Sequence, residues 1–411
     1  MIDLDLLRNN SEKIIALLKT KDPSFDGQRL FDLDQELRKL RADIESLRHK
    51  KNELAREAQS GITPEIREKS ISVGKELKHK EEQFHKVEKD FKDLYLSSPN
   101  IPEEDIPVGG KEANKVVKEF GQKKQFSFDI KNHLDLGTAL GWLDFESAAR
   151  MTGSQFALYR GDAVKLLYSL TMFMLKHNMK YGYELVLPPY LVNERSLEVA
   201  GNFPKFKDQV YVIEQDDLYL TPTSEVNLTN MYRDAILSGE QLPIRMTAWT
   251  SCFRREAGGY GATERGLIRI HQFEKIELYT ICRPQNSDAE QERMLKCIEN
   301  LLQQLGLHYR VSLLASQDCS FPSARTHDVE VWLPGQGEYY EVSSVSKCTD
   351  FQARRDKIRY KEHAGDKTEL VHTLNGSSLA LSRLMVAIME VYQKEDGTIE
   401  IPEVLKKCSL F

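Results

Sequence analysis

Phe253 to Glu277 reads FRREAGGYGATERGLIRIHQFEKIE. Two charge-rich runs of strand-like character flank a loop, Ala257 to Gly266, that holds four glycines. Successive side chains of a strand point to opposite faces. Ile268, Ile270, Ile276 and Leu278 therefore fall on one face, and Arg269, His271, Phe273, Lys275 and Glu277 on the other. The first set predicts a core. The second is a polar wall with an aromatic ring among charges, and antiparallel pairing through the loop would add Arg254 and Glu256 to it. A wall of this kind is either a solvated sheet face with cross-strand ion pairs or one side of a cleft for a charged, planar ligand.

The flanking sequence supplies the rest of a sheet and its helices. GDAVKLLYSLTMFMLKHNMKYG, residues 161–182, carries an apolar stripe at helical spacing and is ended by Gly182. The run that follows, YELVLPPYLV, contains Pro188 and Pro189, which places it at a sheet edge or interface. VEVWLP and EYYEVSSVS read as strands, and Asp288 to Leu305 and Leu379 to Gln393 as helices. The expected body is α+β, built on an antiparallel sheet.

Upstream lies a different pattern. Apolar positions run Leu30, Leu33, Leu37, Leu40, Ile44 and Leu47, then Lys51, Leu54 and Ala58, in alternating steps of three and four. After the turn signal SGITP a second seam runs Ile66, Ser70, Val73, Leu77, Lys80, Phe84, Val87, Phe91 and Leu94. Two heptad seams joined by a turn predict an antiparallel helical hairpin. The pairing would set Leu30 near Leu94, Leu40 near Phe84 and Ile44 near Lys80, whose ammonium would reach water past the seam. The helix from Gly27 to Gln59 would be about 50 Å long. Between Gln28 and Leu96 there are 16 Lys and Arg against 15 Asp and Glu, so its faces are mixed in charge. Prolines, glycines and acids in SSPNIPEEDIPVGG mark a boundary near residue 100. The expected division is an N-terminal domain over 1–100, a linker over 101–110 and the α+β body over 111–411.

The chain has 411 residues and a net charge of -6, which gives no global support for a nucleic-acid partner; any such contact must be local. The opening MIDLDLLRNNSEKII lacks a signal-peptide pattern, and no apolar run nears the roughly 20 residues of a membrane span. The six cysteines, Cys252, Cys282, Cys297, Cys319, Cys348 and Cys408, show no CxxC spacing, so no structural zinc is expected. A cytoplasmic location fits best.

The pattern FRxE, a glycine-bearing loop and GLIRIHQFEKIE together resemble motif 2 of the class II aminoacyl-tRNA synthetases in the bacterial seryl-tRNA synthetase version. LTPTSEVNL, residues 220–228, is similar to that family's serine-binding TxE segment. EVWLPGQGEYYEVSSVSKCTDFQARR, residues 330–355, looks like its ATP-binding strand and loop. LNGSSLALSR, residues 374–383, resembles motif 3, and the helix leading into YELVLPPYLV resembles the motif 1 dimer element. The N-terminal hairpin matches the family's tRNA-binding arm in size and position. Three departures stand out: Ser378 where the family usually has glycine, the segment ASQDCSFPSART, and VSKC in place of a more typical cysteine-containing tetrapeptide.

The resemblance implies an ATP-dependent serine–tRNA ligase. It would join serine and ATP as seryl-adenylate, releasing pyrophosphate, and then pass the seryl group to tRNA(Ser), or to tRNA(Sec) where that tRNA exists, releasing AMP. It implies a homodimer. By the same resemblance Arg254 contacts the α-phosphate and Arg383 the γ-phosphate, two guanidiniums suited to multi-point phosphate contacts. Phe273 stacks on adenine, while Glu256 and the Ile270 backbone read its edge. Arg255, Val342 and Ser343 belong to the same ATP-binding set, and Glu341 and Ser344 would hold Mg2+, a hard cation suited to oxygen donors. Thr223, Ser224, Glu225, Glu277 and Ser377 form the serine-binding set, with the choice of carboxylate for the ammonium left open. A non-catalytic coiled-coil or tRNA-binding relative would be expected to lack Arg254, Glu256, Glu277 or Arg383, and all four are present. A ligase charging a carrier protein would be expected to lack the long hairpin.

Overall fold

The computed structural model describes residues 1–59, 61–256 and 266–407. It divides into two compact units, one holding Asp3–Pro99 and the other Asn100–Phe411. The loop expected over Ala257 to Gly266 lies outside the described residues except for Gly266, and Cys408 lies outside them as well.

The first unit is dominated by two helices, α1 (Gly27–Gln59) and α2 (Pro64–Leu96). Thr63 caps α2 by accepting a hydrogen bond from the Ile66 amide at 3.2 Å, and Pro64 stands where no amide donor is needed. Ile44, Leu47 and Leu77 are buried together with Val73 and Phe84 packed against them, so the two heptad seams meet. Across the hairpin Arg48 pairs with Glu81 at 2.8 Å, and the Arg41 guanidinium lies over the Phe84 ring. Lys80 does not simply pass the seam into water; its ammonium pairs with Asp43 at 2.8 Å. At the base, Asp34 is buried and accepts two hydrogen bonds from Arg8. That pair has no signature in the heptad pattern.

The second unit is organised on an eight-stranded sheet: β1 (Lys115–Phe120), β2 (Glu184–Val186), β3 (Ile244–Phe253), β4 (Gln272–Cys282), β5 (Tyr309–Leu313), β6 (Arg325–Leu333), β7 (Glu338–Thr349) and β8 (His372–Ala380). Their order is β1-β5-β6-β7-β8-β4-β3-β2. Pairing is antiparallel throughout except at the β2 edge, where β2 runs parallel to β3. The proline-containing run thus does sit at an edge. Helices α3 (Asp162–Lys180), α5 (Ser287–Gln304) and α6 (Leu381–Val391) cover one face, while α4 (Ser224–Asn230) contributes Val226 and Leu228 to smaller clusters elsewhere. Leu166, Leu170 and Met174 of α3, Ile298 and Leu301 of α5 and Leu384 and Met385 of α6 share a core with Ile276, Leu278, Val342, Val345 and Leu379 of the sheet.

Residues 101–110 do not form a free linker. Glu103 pairs with Arg325 and Lys347, Asp105 pairs with Arg325 at 2.9 Å, and the preceding Asn100 amide donates to the carbonyls of Pro322 and Cys348. The prolines rule out a helix there, and Glu103 and Asp105 are paired with cations of the body.

Candidate active site

The opening stretch is shorter in strand than its alternation predicts. β3 ends at Phe253 and β4 begins at Gln272. Arg254 still pairs across the gap: its amide donates to the His271 carbonyl at 2.9 Å, and His271 Nδ1 lies 3.0 Å from the Arg254 carbonyl. Beyond it the chain turns, because Glu256 adopts φ +48, a conformation uncommon for residues with a Cβ. Glu256 is fixed there by an ion pair of 2.7 Å with Arg269. Ile268 and Ile270 are buried as expected, but in irregular backbone.

Two adjoining hollows open beside the sheet, sharing Arg254, Lys275, Glu341 and Ser377 in their linings. The first, about 200 Å3, is lined by Arg254, Glu256, Ile270, Phe273, Glu341 and Arg383 among others. The Arg254 guanidinium lies 5.2 Å from the centre of the Phe273 ring, and its Nε donates to the Pro222 carbonyl at 3.3 Å. Arg383, on α6, donates to the Glu341 backbone carbonyl at 2.8 Å and lies 3.4 Å from that residue's carboxylate. Two guanidiniums thus face one cavity while each is held by groups of the fold. That is preorganised positive charge.

The second hollow, about 390 Å3, is lined by Thr223, Glu225, Lys275, Glu277, Asn375 and Ser377, together with Asp328, Glu341 and Ser344. Glu277 is 1 % exposed and forms an ion pair with Lys275. Thr223 Oγ1 donates to Glu277 at 3.1 Å while accepting from Lys275 at 2.7 Å and from the Glu225 amide at 3.2 Å. Glu225 accepts from Gln352 Nε2 at 2.7 Å and Asn375 Nδ2 at 3.0 Å. Its carboxyl is pushed up to about 7, first by withdrawal from water and then by the charge of Glu277. The polar face of β4 is therefore not a solvated surface. Lys275 and Glu277 are buried there, paired with each other and with the hydroxyl of Thr223, the N-cap residue of α4.

Two β-bulges decide which residues reach that wall. Glu341 and Ser344 are three apart, so strict alternation would put them on opposite faces. On β7, Glu341 pairs with Glu330 and Ser343 with Val329, leaving Val342 without a partner. The extra residue brings Glu341 and Ser344 to the same hollow. On β8, Ser377 pairs with Glu277 and Leu379 with Ile276, so Ser378 is the extra residue. Ser377 faces the hollow and Leu379 the core, although they are two apart.

Of the sequence-predicted residues, Thr223, Glu225, Arg254, Glu256, Ile270, Phe273, Glu277, Glu341, Ser344, Ser377 and Arg383 line the two hollows. Ser224, Arg255, Val342 and Ser343 do not. Ser224 is fully buried behind Thr223, and Val342 is in the core. The Ser343 hydroxyl donates to the Ser377 carbonyl, and the exposed Arg255 lies over the Tyr211 ring at 5.9 Å. The site set drawn from the sequence omitted Lys275, Gln352, Asn375 and Asp328. Lys275 shares the polar face of β4 with Glu277, a signal the alternation contains. The other three are brought in by strands and a helix distant in sequence. Asp328 faces Ser344 across the β6–β7 ladder, and burial holds its carboxyl well above the usual range.

Among the described residues no group of three or more His, Cys, Asp or Glu side chains is placed to hold a metal ion, and no helix is long and apolar enough to cross a membrane.

Comparison with known proteins supplies the remaining finding. Residues 206–392 match the tRNA synthetase class II core domain (G, H, P, S and T), and residues 1–102 match the seryl-tRNA synthetase N-terminal domain. The chain is 43% identical to the serine--tRNA ligase of Syntrophobacter fumaroxidans over 99% of its own length and 98% of that protein's. It superposes on seryl-tRNA synthetase from Pyrococcus horikoshii, solved complexed with ATP, with a TM-score of 0.94 and 34% identity, covering 100% of this chain and 98% of that one. The cytoplasmic serine-tRNA ligase of Naegleria fowleri, solved in complex with AMP, gives a TM-score of 0.87 at 27% identity over 99% and 97% of the two chains.

Proposed function

The chain belongs to the seryl-tRNA synthetase family, and from that membership we propose how its two hollows divide the work of attaching serine to tRNA. The enzyme is a serine–tRNA ligase of class II that uses ATP. In our reading the first hollow takes ATP. Phe273 stacks on the adenine, Glu256 and the Ile270 backbone read its edge, Arg254 holds the α-phosphate and Arg383 the γ-phosphate. The observation that carries this reading is the pair of guanidiniums, Arg254 and Arg383, lining one cavity with the Phe273 ring beneath the first of them. Adenylate formation needs the serine carboxylate in line with the α-phosphate, so most of the catalysis is positioning and charge neutralisation.

The second hollow takes serine. Glu277 is already neutralised by Lys275, whereas Glu225 has only amide donors and resists ionisation. That Glu225 is hydrogen-bonded only to amides among the described residues supports placing the serine ammonium at Glu225 and the hydroxyl at Glu277, Thr223 and Ser377. A site built to hydrogen-bond a hydroxyl rejects alanine, because its own polar groups would be left unpaired.

Magnesium fits this site. Glu341 and Ser344 offer hard oxygen donors on one face of β7, and the nearby Asp328 Oδ1 is buried with no hydrogen-bond partner among the described residues. Held by Glu341 and Ser344, the ion would neutralise phosphate charge as pyrophosphate leaves.

The proposed assembly is a homodimer in the cytoplasm. Tyr168, Met172 and Met179 of α3 and Leu185, Leu187 and Tyr190 beside the β2 edge are large apolar residues left exposed, and they support that reading. The α1–α2 arm is proposed to grip tRNA(Ser), and tRNA(Sec) where that tRNA exists. Pyrophosphate exchange measured with each of the twenty amino acids tests the assignment: exchange should require serine, and Glu277→Ala should raise the serine requirement far more than the ATP requirement.

A further inference from the structure

A run of hydrogen bonds passes beneath the serine pocket from a helix that has no side chain in it. Asn178 lies in the last turn of α3 and is fully buried. Its Oδ1 accepts from the Ser378 hydroxyl at 3.1 Å and from Cys297 Sγ at 3.5 Å. Its Nδ2 donates to Thr247 Oγ1 at 3.0 Å, and the Thr247 hydroxyl donates to the backbone carbonyl of Glu277 at 2.8 Å. Every donor in the series points the same way, from Ser378 through Asn178 and Thr247 to Glu277. Ser378, Thr247 and Cys297 are also buried, so no water competes for these groups.

The two ends of the series matter. Ser378 is the extra residue of the β8 bulge, flanked by the pocket-facing Ser377, and Ser377 stands opposite Glu277 in the ladder. A bulge residue has no ladder partner to fix its backbone, and the hydroxyl of Ser378 supplies a tether that glycine would not. The other end fixes the peptide of Glu277 itself. One amide therefore holds both strands at the place where they present Ser377 and Glu277 to the pocket.

We propose that Asn178 is a positioning residue for serine recognition, acting through Ser378 and Thr247 on the spacing and orientation of Ser377 and Glu277. It touches neither substrate. This inference rests on the serine-pocket reading above, and its test separates the two.

The test is serine-dependent pyrophosphate exchange on full-length Thr247→Val, Thr247→Ser, Ser378→Ala and Asn178→Leu, each first shown folded by circular dichroism at the assay temperature. Loss of one net hydrogen bond corresponds to about a fivefold change in an equilibrium constant. Thr247→Val should raise the KM for serine by about fivefold, leave the KM for ATP within twofold, and weaken discrimination against alanine. Thr247→Ser, which keeps the hydroxyl, should restore the parent values. Ser378→Ala should act in the same direction, and its effect should be smaller in the Thr247→Val background than alone, since both interrupt one series. If Asn178→Leu does not fold, the Val and Ser variants at 247 decide the matter. A lowered melting temperature with both KM values unchanged, or an equal rise in both, overturns the proposal and leaves Asn178 a structural residue. Failure of the parent to activate serine would instead overturn the pocket reading.

Discussion

Lys275 and Glu277, two residues apart on one face of β4, form a buried ion pair bridged by the hydroxyl of Thr223. Their side chains are 8% and 2% exposed, so neither charge has water as an alternative partner. Removing one member of such a pair strands the other and typically costs about 3–5 kcal/mol. Lys275→Met should lower the unfolding free energy by about that amount in urea titration, and Lys275→Met/Glu277→Gln should recover part of it. A loss under 1 kcal/mol would mean that water reaches the pair.

Arg254 faces a cavity, and among the described residues its side chain donates from Nε to the Pro222 carbonyl and lies over Phe273. Arg254→Ala should therefore leave the fold intact, with an unchanged circular dichroism spectrum. It should slow adenylate formation by about a hundredfold or more, the usual cost of losing a preorganised charge at a reacting group. Exchange within a few-fold of the parent would remove Arg254 from the α-phosphate.

Glu225 sets a pH dependence whose sign follows from its raised value. Burial, then the charge of Glu277, lifts it from 4.5 to about 7. Between those two values the folded protein holds a proton that the unfolded chain has released. The contribution of Glu225 to stability therefore falls as pH rises through that window. Serine binding runs the other way, because an ammonium needs the ionised carboxylate. The KM for serine should rise about tenfold from pH 8 to pH 6. In Glu225→Gln it should be high at both and nearly flat, with the stability slope attributable to this group gone.

The α1–α2 hairpin carries none of the residues that line the two hollows. Trimming it to a short turn should spare serine-dependent pyrophosphate exchange and sharply reduce charging of tRNA. Binding of tRNA by the parent should weaken as salt rises, because cationic side chains release counterions from the RNA. Full charging by the trimmed protein would make the arm a spacer.

Much of the fold was legible before any coordinates. The heptad seams announced α1 and α2 because a repeat of three and four residues has no other economical burial, and the helix expected from Gly27 to Gln59 is observed with those bounds. The α+β body followed from alternation, from helical stripes and from the two prolines that confine β2 to an edge. The candidate site was legible through its motifs, since Arg254, Phe273, Glu277, Glu341 and Arg383 stand in runs too specific to be surface charge. Less legible was the backbone between the strands. Alternation assumes an uninterrupted strand, whereas the chain leaves β3 after Phe253, turns at Glu256 through positive φ, and re-enters at Gln272.

What the sequence determined by itself is the inventory: an arm, an antiparallel body, and the charged and hydroxyl groups that a ligase for serine needs. What only the tertiary structure decided is which of them face one another. Alternation is counted along one chain, but a bulge exists only between two, so neither the convergence of Glu341 with Ser344 nor the divergence of Ser377 from Leu379 can be read from spacing. The same limit applies to Asn178, an unremarkable polar residue at the end of an apolar helix until packing sets its amide between Ser378 and Thr247. Hydrogen bonds between residues 69 and 200 positions apart are made by the meeting of helix and sheet, and that meeting is a property of the whole core.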